Sequence, residues 1–288
     1  MPWPLCRRRR HRPIQPNSFA TIDNGTDGTF LQGINNAGTV SGYYLDAGGA
    51  AHGFLYSGGS FTTLDDPDGI TDTYGAGINN SGHVVGTYGD AGGGHHGYLY
   101  DGSFHTIDDP NGASNNAHGI NDSGAIVGYY GASTSGPTTG YLYDGSFHDI
   151  SDPNAGPDGT AAIGINNAGN VVSFYSDAAG VGHGFLYDGV TYTTLDDPLG
   201  TNGTYSYDID NLGHVVGEYF DSSFDAHGFL YDSGTFSTVD DPLGVFATEI
   251  FGINDKGQIT GDYVDAAGNV HGFIGTPVAE PTSLLLML

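Results

Sequence analysis

One sequence pattern is repeated six times along the chain. Its second copy reads Gly-Ile-Asn-Asn-Ser-Gly-His-Val-Val-Gly-Thr-Tyr over 77–88, then His-Gly-Tyr-Leu-Tyr over 96–100 and Thr-Ile-Asp-Asp-Pro over 106–110. The copies begin at residues 33, 77, 119, 164, 208 and 252, at intervals of 44, 42, 45, 44 and 44 residues. A constant period of this length indicates an architecture in which each copy is one structural unit.

Each copy predicts four short strands and shows no helical period. In the second copy we expect strands at 73–78, 83–88, 96–100 and 104–107. Asn-Asn-x-Gly and Asp-Gly favour tight turns, because Asn and Gly tolerate a positive φ. Asp-Asp-Pro ends the fourth strand, because proline cannot donate to a sheet. Four strands in about 44 residues are typical of a β-propeller blade.

The two ends of the repeat region complement each other. A lone strand of the fourth type, 19–23, precedes the first copy, whereas the last copy ends after its third strand, 271–274. One strand and three strands together complete one blade and remove exposed edges. We therefore predict an all-β, six-bladed β-propeller with four-stranded blades over 17–275, closed by the N-terminal strand joining the last blade. An open β-solenoid is the alternative, and it would need a cap at each end.

Charge is distributed very unevenly along the chain. The net charge is −27, yet five of the six basic residues lie within Arg7–Arg12, and all 33 acidic residues lie at or after Asp23. Such an acidic body repels nucleic acid and anionic membranes and attracts divalent cations or basic partners. We expect no nucleic-acid partner. Residues 1–16 are predicted to be a disordered basic tail, with nuclear or nucleic-acid targeting as the alternative. The single cysteine excludes a disulfide framework.

A histidine column and two aromatic columns recur in register. Five copies carry His before Gly at the start of the third strand, and the third copy has Thr139 there. Imidazole can bind metal or transfer protons. Because a chemical site rarely needs the same group in every blade, we favour a structural role in which each His bonds to a turn carbonyl or an Asp. The aromatic columns are expected in the core.

The Asp-Asp-Pro segments allow two interpretations. A carboxylate can accept backbone N–H groups in an Asx-turn before the proline. It can also bind Ca²⁺ together with backbone carbonyl oxygens. The densest segment, and the candidate calcium site, comprises Asp65, Asp66, Asp68 and Asp72. Calcium is the one cofactor that the sequence suggests.

Two acidic residues break the symmetry of one column near the end of the second strand. That column reads Tyr43, Thr87, Tyr129, Phe174, Glu218 and Asp262. Glu218 and Asp262 belong to adjacent copies and are candidates for ligand binding or for a glycosidase carboxylate pair. The alternative is two polar residues at a solvent-accessible column. No nucleophile, phosphate-binding or zinc-protease motif accompanies them, so we expect no enzymatic activity.

The repeat can now be compared with a known family. Gly-Ile-Asn-Asn-x-Gly-x-Val-Val-Gly-x-Tyr, followed by His-Gly-Phe-Leu-Tyr and Asp-Asp-Pro-x-Gly, resembles the bacterial extracellular HAF-type repeat over about 19–275. The resemblance implies a secreted or surface-exposed bacterial protein and no established biochemistry. Residues 276–288 resemble a truncated PEP-CTERM sorting tail, with Ala279 in place of the first proline. Its apolar run, 284–288, is far shorter than the roughly 20 residues that a helix needs to span a bilayer, so we expect no stable membrane insertion.

These observations lead to three functional hypotheses. The first is a non-enzymatic, monomeric binding or adhesion module for extracellular matrix or exopolysaccharide, with a polysaccharide or a surface protein as partner. The second is a carbohydrate-active enzyme, a glycosidase or lyase, on a propeller scaffold. The third is a calcium-stabilised structural surface protein.

Overall fold

The protein is a β-propeller built of four-stranded sheets. The computed structural model describes residues 16–25, 28–134 and 136–277, and these ranges contain strands and turns but no helix. β1 (Pro16–Ile22) precedes the first copy of the repeat. The strands reach slightly beyond the predicted range of 17–275. The proposed basic tail and sorting tail lie almost wholly outside the described residues.

The first four copies each form a separate antiparallel sheet in simple chain order. The first contains β2 (Thr29–Ile34), β3 (Val40–Leu45), β4 (Ala51–Ser57) and β5 (Ser60–Thr63). The second contains β6 (Thr73–Ile78), β7 (Val84–Gly89), β8 (His95–Tyr100) and β9 (Phe104–Thr106). The third contains β10 (Ser114–Ile120), β11 (Ile126–Gly131), β12 (Thr138–Tyr143) and β13 (Phe147–Ile150). The fourth contains β14 (Gly164–Ile165), β15 (Val171–Ser176), β16 (Gly182–Tyr187) and β17 (Tyr192–Leu195).

The last two copies share one mixed sheet of eight strands. The fifth copy supplies β18 (Thr204–Ile209), β19 (Val215–Phe220), β20 (Ala226–Asp232) and β21 (Thr235–Thr238). The sixth supplies β22 (Ala247–Ile253), β23 (Ile259–Val264) and β24 (Val270–Pro277). A single parallel pairing, Ala226 with Ala247, joins the two groups. β1 pairs antiparallel with β24, so four strands also stand together in the last group.

The Asn-Asn-x-Gly turn is fixed by the side chain of its first residue. In the first copy, Oδ1 of Asn35 accepts hydrogen bonds from the backbone N–H groups of Ala37 and Thr39, both at 3.0 Å. Gly38 adopts a φ of +80°, which only glycine reaches without strain. The amide oxygen of Asn35 therefore holds the turn between the first two strands, in the Asx geometry that this residue type favours.

The same asparagine also joins neighbouring sheets. Nδ2 of Asn35 donates to the carbonyl of Asn79 in the next copy, and Nδ2 of Asn254 in the sixth copy donates to the carbonyl of Asn35. Equivalent bonds run from Asn79 to Asn121, from Asn121 to Asn166 and from Asn166 to Asp210. Asp210 has a carboxyl group in place of a side-chain amide, so its side chain cannot donate to the sixth copy.

A second ring lies one residue further along each turn. Each backbone N–H donates to the side-chain Oδ1 of the next copy, at distances between 2.8 and 2.9 Å. The donors and acceptors run in the order Asn36, Asn80, Asp122, Asn167, Asn211, Asp255 and back to Asn36. The two aspartates each also accept Nδ2–H bonds from both flanking asparagines. These bonds lower the pKa of Asp122 and Asp255 despite their partial burial.

The core lies between the sheets, as the aromatic columns predict. The third strand of every copy contributes one fully buried ring, each with 0% exposure: Phe54, Tyr98, Tyr141, Phe185, Phe229 and Phe273. Valine and isoleucine side chains of the first and second strands pack against these rings. Burial of an aromatic side chain of this size contributes roughly 1.5–3 kcal/mol relative to exposure.

Removing one ring asparagine should destabilise the whole propeller. In Asn121→Ala, the bond to Asn166 is lost and the backbone N–H groups of Ser123 and Ala125 lose their acceptor. At about 1 kcal/mol per bond, we expect a loss of about 2–3 kcal/mol. The measurement is urea unfolding followed by far-UV circular dichroism. Asn154→Ala, at an exposed position, is the control; an equal loss in both variants would contradict a special role for the ring.

Candidate functional site

A cavity of about 520 Å³ runs through the centre of the molecule. The first strands of the repeats line it, and the Asn and Asp turn residues of both rings surround one end. His118 lies in its wall and stacks on Tyr129, with ring centroids 5.3 Å apart. Burial lowers the pKa of His118 to about 4, so this imidazole is neutral at physiological pH.

Aromatic side chains lie toward the other end of the cavity, where Tyr129 and Phe174 are part of its wall. Phe30 stacks on Tyr43, with centroids 4.7 Å apart, and Tyr43 meets the edge of Tyr74 at 4.9 Å. On the opposite side, Phe174 contacts the edge of Tyr205 at 4.9 Å. A second cavity of about 340 Å³ opens beside this end, and Asn116, Gln32 and Thr87 add polar groups to its wall. We call this end of the cavity, where Tyr43, Tyr74 and Asn116 line the adjoining second cavity, the aromatic mouth.

Three carboxyl groups meet beside the aromatic mouth. Glu218 on β19 and Asp262 on β23 are each only 5% exposed, and Glu249 on β22 lies directly opposite Asp262 in the sheet register. β19 packs against β22, which brings Glu218 to the other two. Tyr207 donates its hydroxyl to Oε1 of Glu218 at 2.6 Å. We call Glu218, Glu249 and Asp262 the acidic cluster.

The acidic cluster resists ionisation. Burial, with repulsion from Glu249, raises the pKa of Glu218 to about 8, although the Tyr207 hydrogen bond opposes this. Burial also raises the pKa of Glu249 and, with repulsion from both glutamates, that of Asp262. Oε2 of Glu218 is buried and accepts no hydrogen bond from the residues that the structure describes. A buried carboxylate oxygen without a partner is costly, so the cluster favours protons or a cation.

The cluster lies at the one junction where neighbouring copies are joined differently. Elsewhere a glycine such as Gly77 lets adjacent sheets touch, since a Cβ there would lie 2.5 Å from the carbonyl oxygen of His118. The fifth copy has Asp208 at this position, and its Oδ2 accepts the backbone N–H of Ile253 at 2.9 Å. Burial raises the pKa of Asp208 to about 7. Asp210 bonds to His214 at 2.7 Å instead of to the sixth copy.

The structure corrects the view of Glu218 and Asp262 as a solvent-accessible column. Both are buried, since their strand positions face the adjacent sheet near the aromatic mouth. The sequence correctly paired them across adjacent copies but missed Glu249 and Tyr207. None of the other copies has an acidic residue at the first-strand position of Glu249. This difference between copies is the sequence feature that could have indicated its role.

The histidine column has the structural role that the sequence favoured. Nδ1 of His52 bonds to Asp65 at 2.9 Å, and His271 bonds to Asp23 at the same distance. His96, His183 and His227 make equivalent bonds to Asp108, Asp196 and Asp240. The rings are about one-quarter to one-third exposed rather than buried. In the third copy Thr139 stands in place of the histidine and Ser151 in place of its aspartate partner, so both members of the pair are replaced.

The candidate calcium residues have separate protein partners. Asp65 bonds to His52, Oδ1 of Asp66 accepts the N–H of Asp68, and Oδ1 of Asp72 accepts the N–H of Ala51. Of these, the Asp66 bond is the Asx-turn bond that the sequence predicts, whereas Asp65 and Asp72 bond to more distant parts of the chain. Within the described ranges, no group of three or more His, Cys, Asp or Glu side chains is arranged to hold a metal ion. Calcium binding therefore stays a prediction without geometric support.

Comparison with known proteins establishes the fold. No family model matches the sequence, and no curated protein does either. Among solved structures, the six-bladed fucose-recognising lectin of Aleuria aurantia is similar at TM-score 0.54 and 13% identity, covering 90% of this chain and 99% of the lectin. SapL1 lectin in complex with α-methyl fucoside is similar at 0.57 and 12%, covering 89% and 98%. A gluconolactonase from Xanthomonas campestris is similar at 0.56 and 13%, covering 90% and 89%. No helix in the described ranges is long and apolar enough to cross a membrane.

The acidic cluster should make stability depend on pH. Carboxyl groups with a raised folded-state pKa contribute most to stability below their unfolded values near 4, and this contribution is lost as pH rises through the folded values. For Glu218 that window ends near pH 8. The facing groups are Glu249, Asp262, Tyr205 and Tyr207.

We expect Glu218→Gln to raise the melting temperature at pH 8 by about 2–5 °C and to change it little at pH 5. Thermal unfolding between pH 5 and pH 8 measures this difference. Asp144→Asn, an exposed carboxyl in a hairpin turn, should shift neither value. A Glu218→Gln protein with the same pH profile as the parent would show that the cluster is not strained.

Proposed function

We propose that this protein is a non-enzymatic carbohydrate-binding propeller that takes polysaccharide at its aromatic mouth. The observation that carries this proposal is the combination, in the wall of the second cavity, of the half-buried rings of Tyr43 and Tyr74 with the amide of Asn116. Aromatic faces pack against the C–H surfaces of sugars, while a few fixed polar groups orient the hydroxyls.

The proposed architecture is one ring of six four-stranded blades, with β1 completing the sheet of β22, β23 and β24. The antiparallel pairing of β1 with β24 supports it. So do the bond between His271 and Asp23 and the bond from Asp255 to Asn36, which connect the two ends of the repeat region. Such a closed ring holds the central cavity and its mouth in a fixed shape.

The similar proteins support a saccharide ligand in general terms. The lectin of Aleuria aurantia is described by its fucose recognition, and SapL1 was solved with a fucoside. The repeat resemblance adds an extracellular setting, so we propose a monomer at or outside a bacterial surface, where exopolysaccharide is the available polymer.

A second candidate is hydrolysis or elimination at a glycosidic bond. A carboxyl group that keeps its proton near neutral pH beside another carboxyl group matches the acid and base pair of glycosidases. Incubation with polysaccharides and assay of new reducing ends tests it. Product formation that disappears in Glu218→Gln would favour the enzyme over the binding module.

Polysaccharide binding should depend on the aromatic mouth. In Tyr74→Ala, we expect affinity for a bound polysaccharide to fall about fivefold to thirtyfold, because loss of a stacking ring costs about 1–2 kcal/mol. A glycan array identifies the ligand, and biolayer interferometry measures the affinity. Phe224→Ala is the matched control, because this aromatic ring is 72% exposed and lines neither cavity. Unchanged binding in Tyr74→Ala would place the site elsewhere.

Ring closure should depend on β1 and not on the residues before it. We expect a protein beginning at residue 16 to melt at the parent temperature. A protein beginning at residue 24 loses β1 and the Asp23 partner of His271, so it should melt at least about 5 °C lower. Differential scanning calorimetry compares the two, and equal melting temperatures would contradict closure by β1.

A further inference from the structure

The acidic cluster has no positive charge of its own. Lys256 is the only lysine or arginine within the described ranges, and it lies exposed in the turn at the opposite end of β22 from Glu249. The nearest polar contact, the hydroxyl of Tyr207, satisfies one oxygen of Glu218 and leaves Oε2 buried and unpartnered. A counter-charge must therefore come from protons or from a bound cation.

A metal ion is a poor fit to this geometry. Although the three carboxyl groups are neighbours, they are not arranged to hold a metal ion, and neither is any other group of three or more such side chains in the described ranges. An organic ammonium group places fewer demands on ligand geometry, because its three N–H donors can reach separate carboxylates. Burial, together with repulsion from the cluster carboxyl groups, raises the pKa of Tyr43 and Tyr205, so both rings lie near the cluster, and an aromatic ring attracts an organic cation.

Access to the cluster is one-sided. Glu218 and Asp262 are buried, whereas Glu249 is partly exposed. Tyr207, which bonds to Glu218, lines the first cavity, and Tyr43 lines the second. Glu249 is therefore the member of the cluster that a ligand can reach.

We infer that the acidic cluster is a subsite for the ammonium group of an amine-bearing saccharide. This inference rests on the proposed carbohydrate function and specifies its substrate class. The sugar ring lies against the tyrosines of the mouth, and its protonated amine donates to Glu249, the partly exposed member of the cluster. The ammonium group then takes the place of the protons that the cluster otherwise holds.

The test compares two oligosaccharides of equal length, β-1,4-glucosamine tetramer and its fully N-acetylated form. Isothermal titration calorimetry with the full chain at pH 6.5 measures both affinities. Loss of a charge-assisted hydrogen bond costs about 1.5–3 kcal/mol, so we expect the free amine form to bind about tenfold to a hundredfold more tightly. Glu249→Gln should remove that preference. Asp144→Asn should keep it.

The outcomes separate this inference from the proposal beneath it. Equal affinity for the two tetramers, unchanged by Glu249→Gln but reduced by Tyr74→Ala, would overturn the ammonium subsite and leave carbohydrate binding in place. No binding of either tetramer or of any arrayed glycan would overturn both. Equally tight binding of a tetralysine peptide would show a general cation site and overturn the saccharide assignment. Melting curves of Glu249→Gln confirm folding, and Asp262→Asn is a second variant with the same expected effect.

Discussion

The hydrogen-bonded turns around one end of the cavity hold the repeats in a common arrangement. One asparagine side chain performs two tasks at once, because its oxygen fixes the turn of its own copy and its amide bonds to the next copy. The residue after it forms a second ring that runs without a break from the sixth copy to the first. Each bond fixes the position of one turn relative to the next. The turns then fix the positions of the first strands, which form the wall of the cavity.

The single exception to this arrangement coincides with the chemically distinct region. Asp210 cannot donate to the sixth copy, and Asp208 forms a different link by accepting the N–H of Ile253. This junction also contains the three carboxyl groups of the acidic cluster. Burial raises the pKa of Asp208 and of the three cluster carboxyl groups, and repulsion within the cluster adds to this, so the junction weakens as pH rises. When a natural protein retains a destabilising arrangement of this kind, it commonly lies at a functional site.

The sequence predicts the repeated features well and the unique ones poorly. Local residue preferences, repeated in register in six copies, predict the limits of the strands, the turn glycines and the buried rings. They also predict the Asx-turn of Asp66. The acidic cluster depends on which residues face each other across two sheets. The pairing of Glu249 with Asp262 needs the strand register, and the approach of Glu218 needs the packing of β19 on β22. Neither is expressed in the spacing of one chain, and the alternative that places Glu218 and Asp262 at a solvent-accessible column is wrong because both are buried.

The partners of each carboxyl group separate structural acids from ligand-binding ones. Asp46 and Asp265 accept backbone N–H groups in their turns, and these bonds lower the pKa of both. Those carboxylates are ionised and already satisfied, so they gain little from a ligand. The acidic cluster has the opposite character. Its members are buried together, and no backbone N–H bond lowers the pKa of Glu218 or Asp262. In a chain this rich in aspartate, composition alone therefore says little about cation binding. An acid beside the aromatic mouth that lacks a backbone donor has the most to gain from an ammonium group.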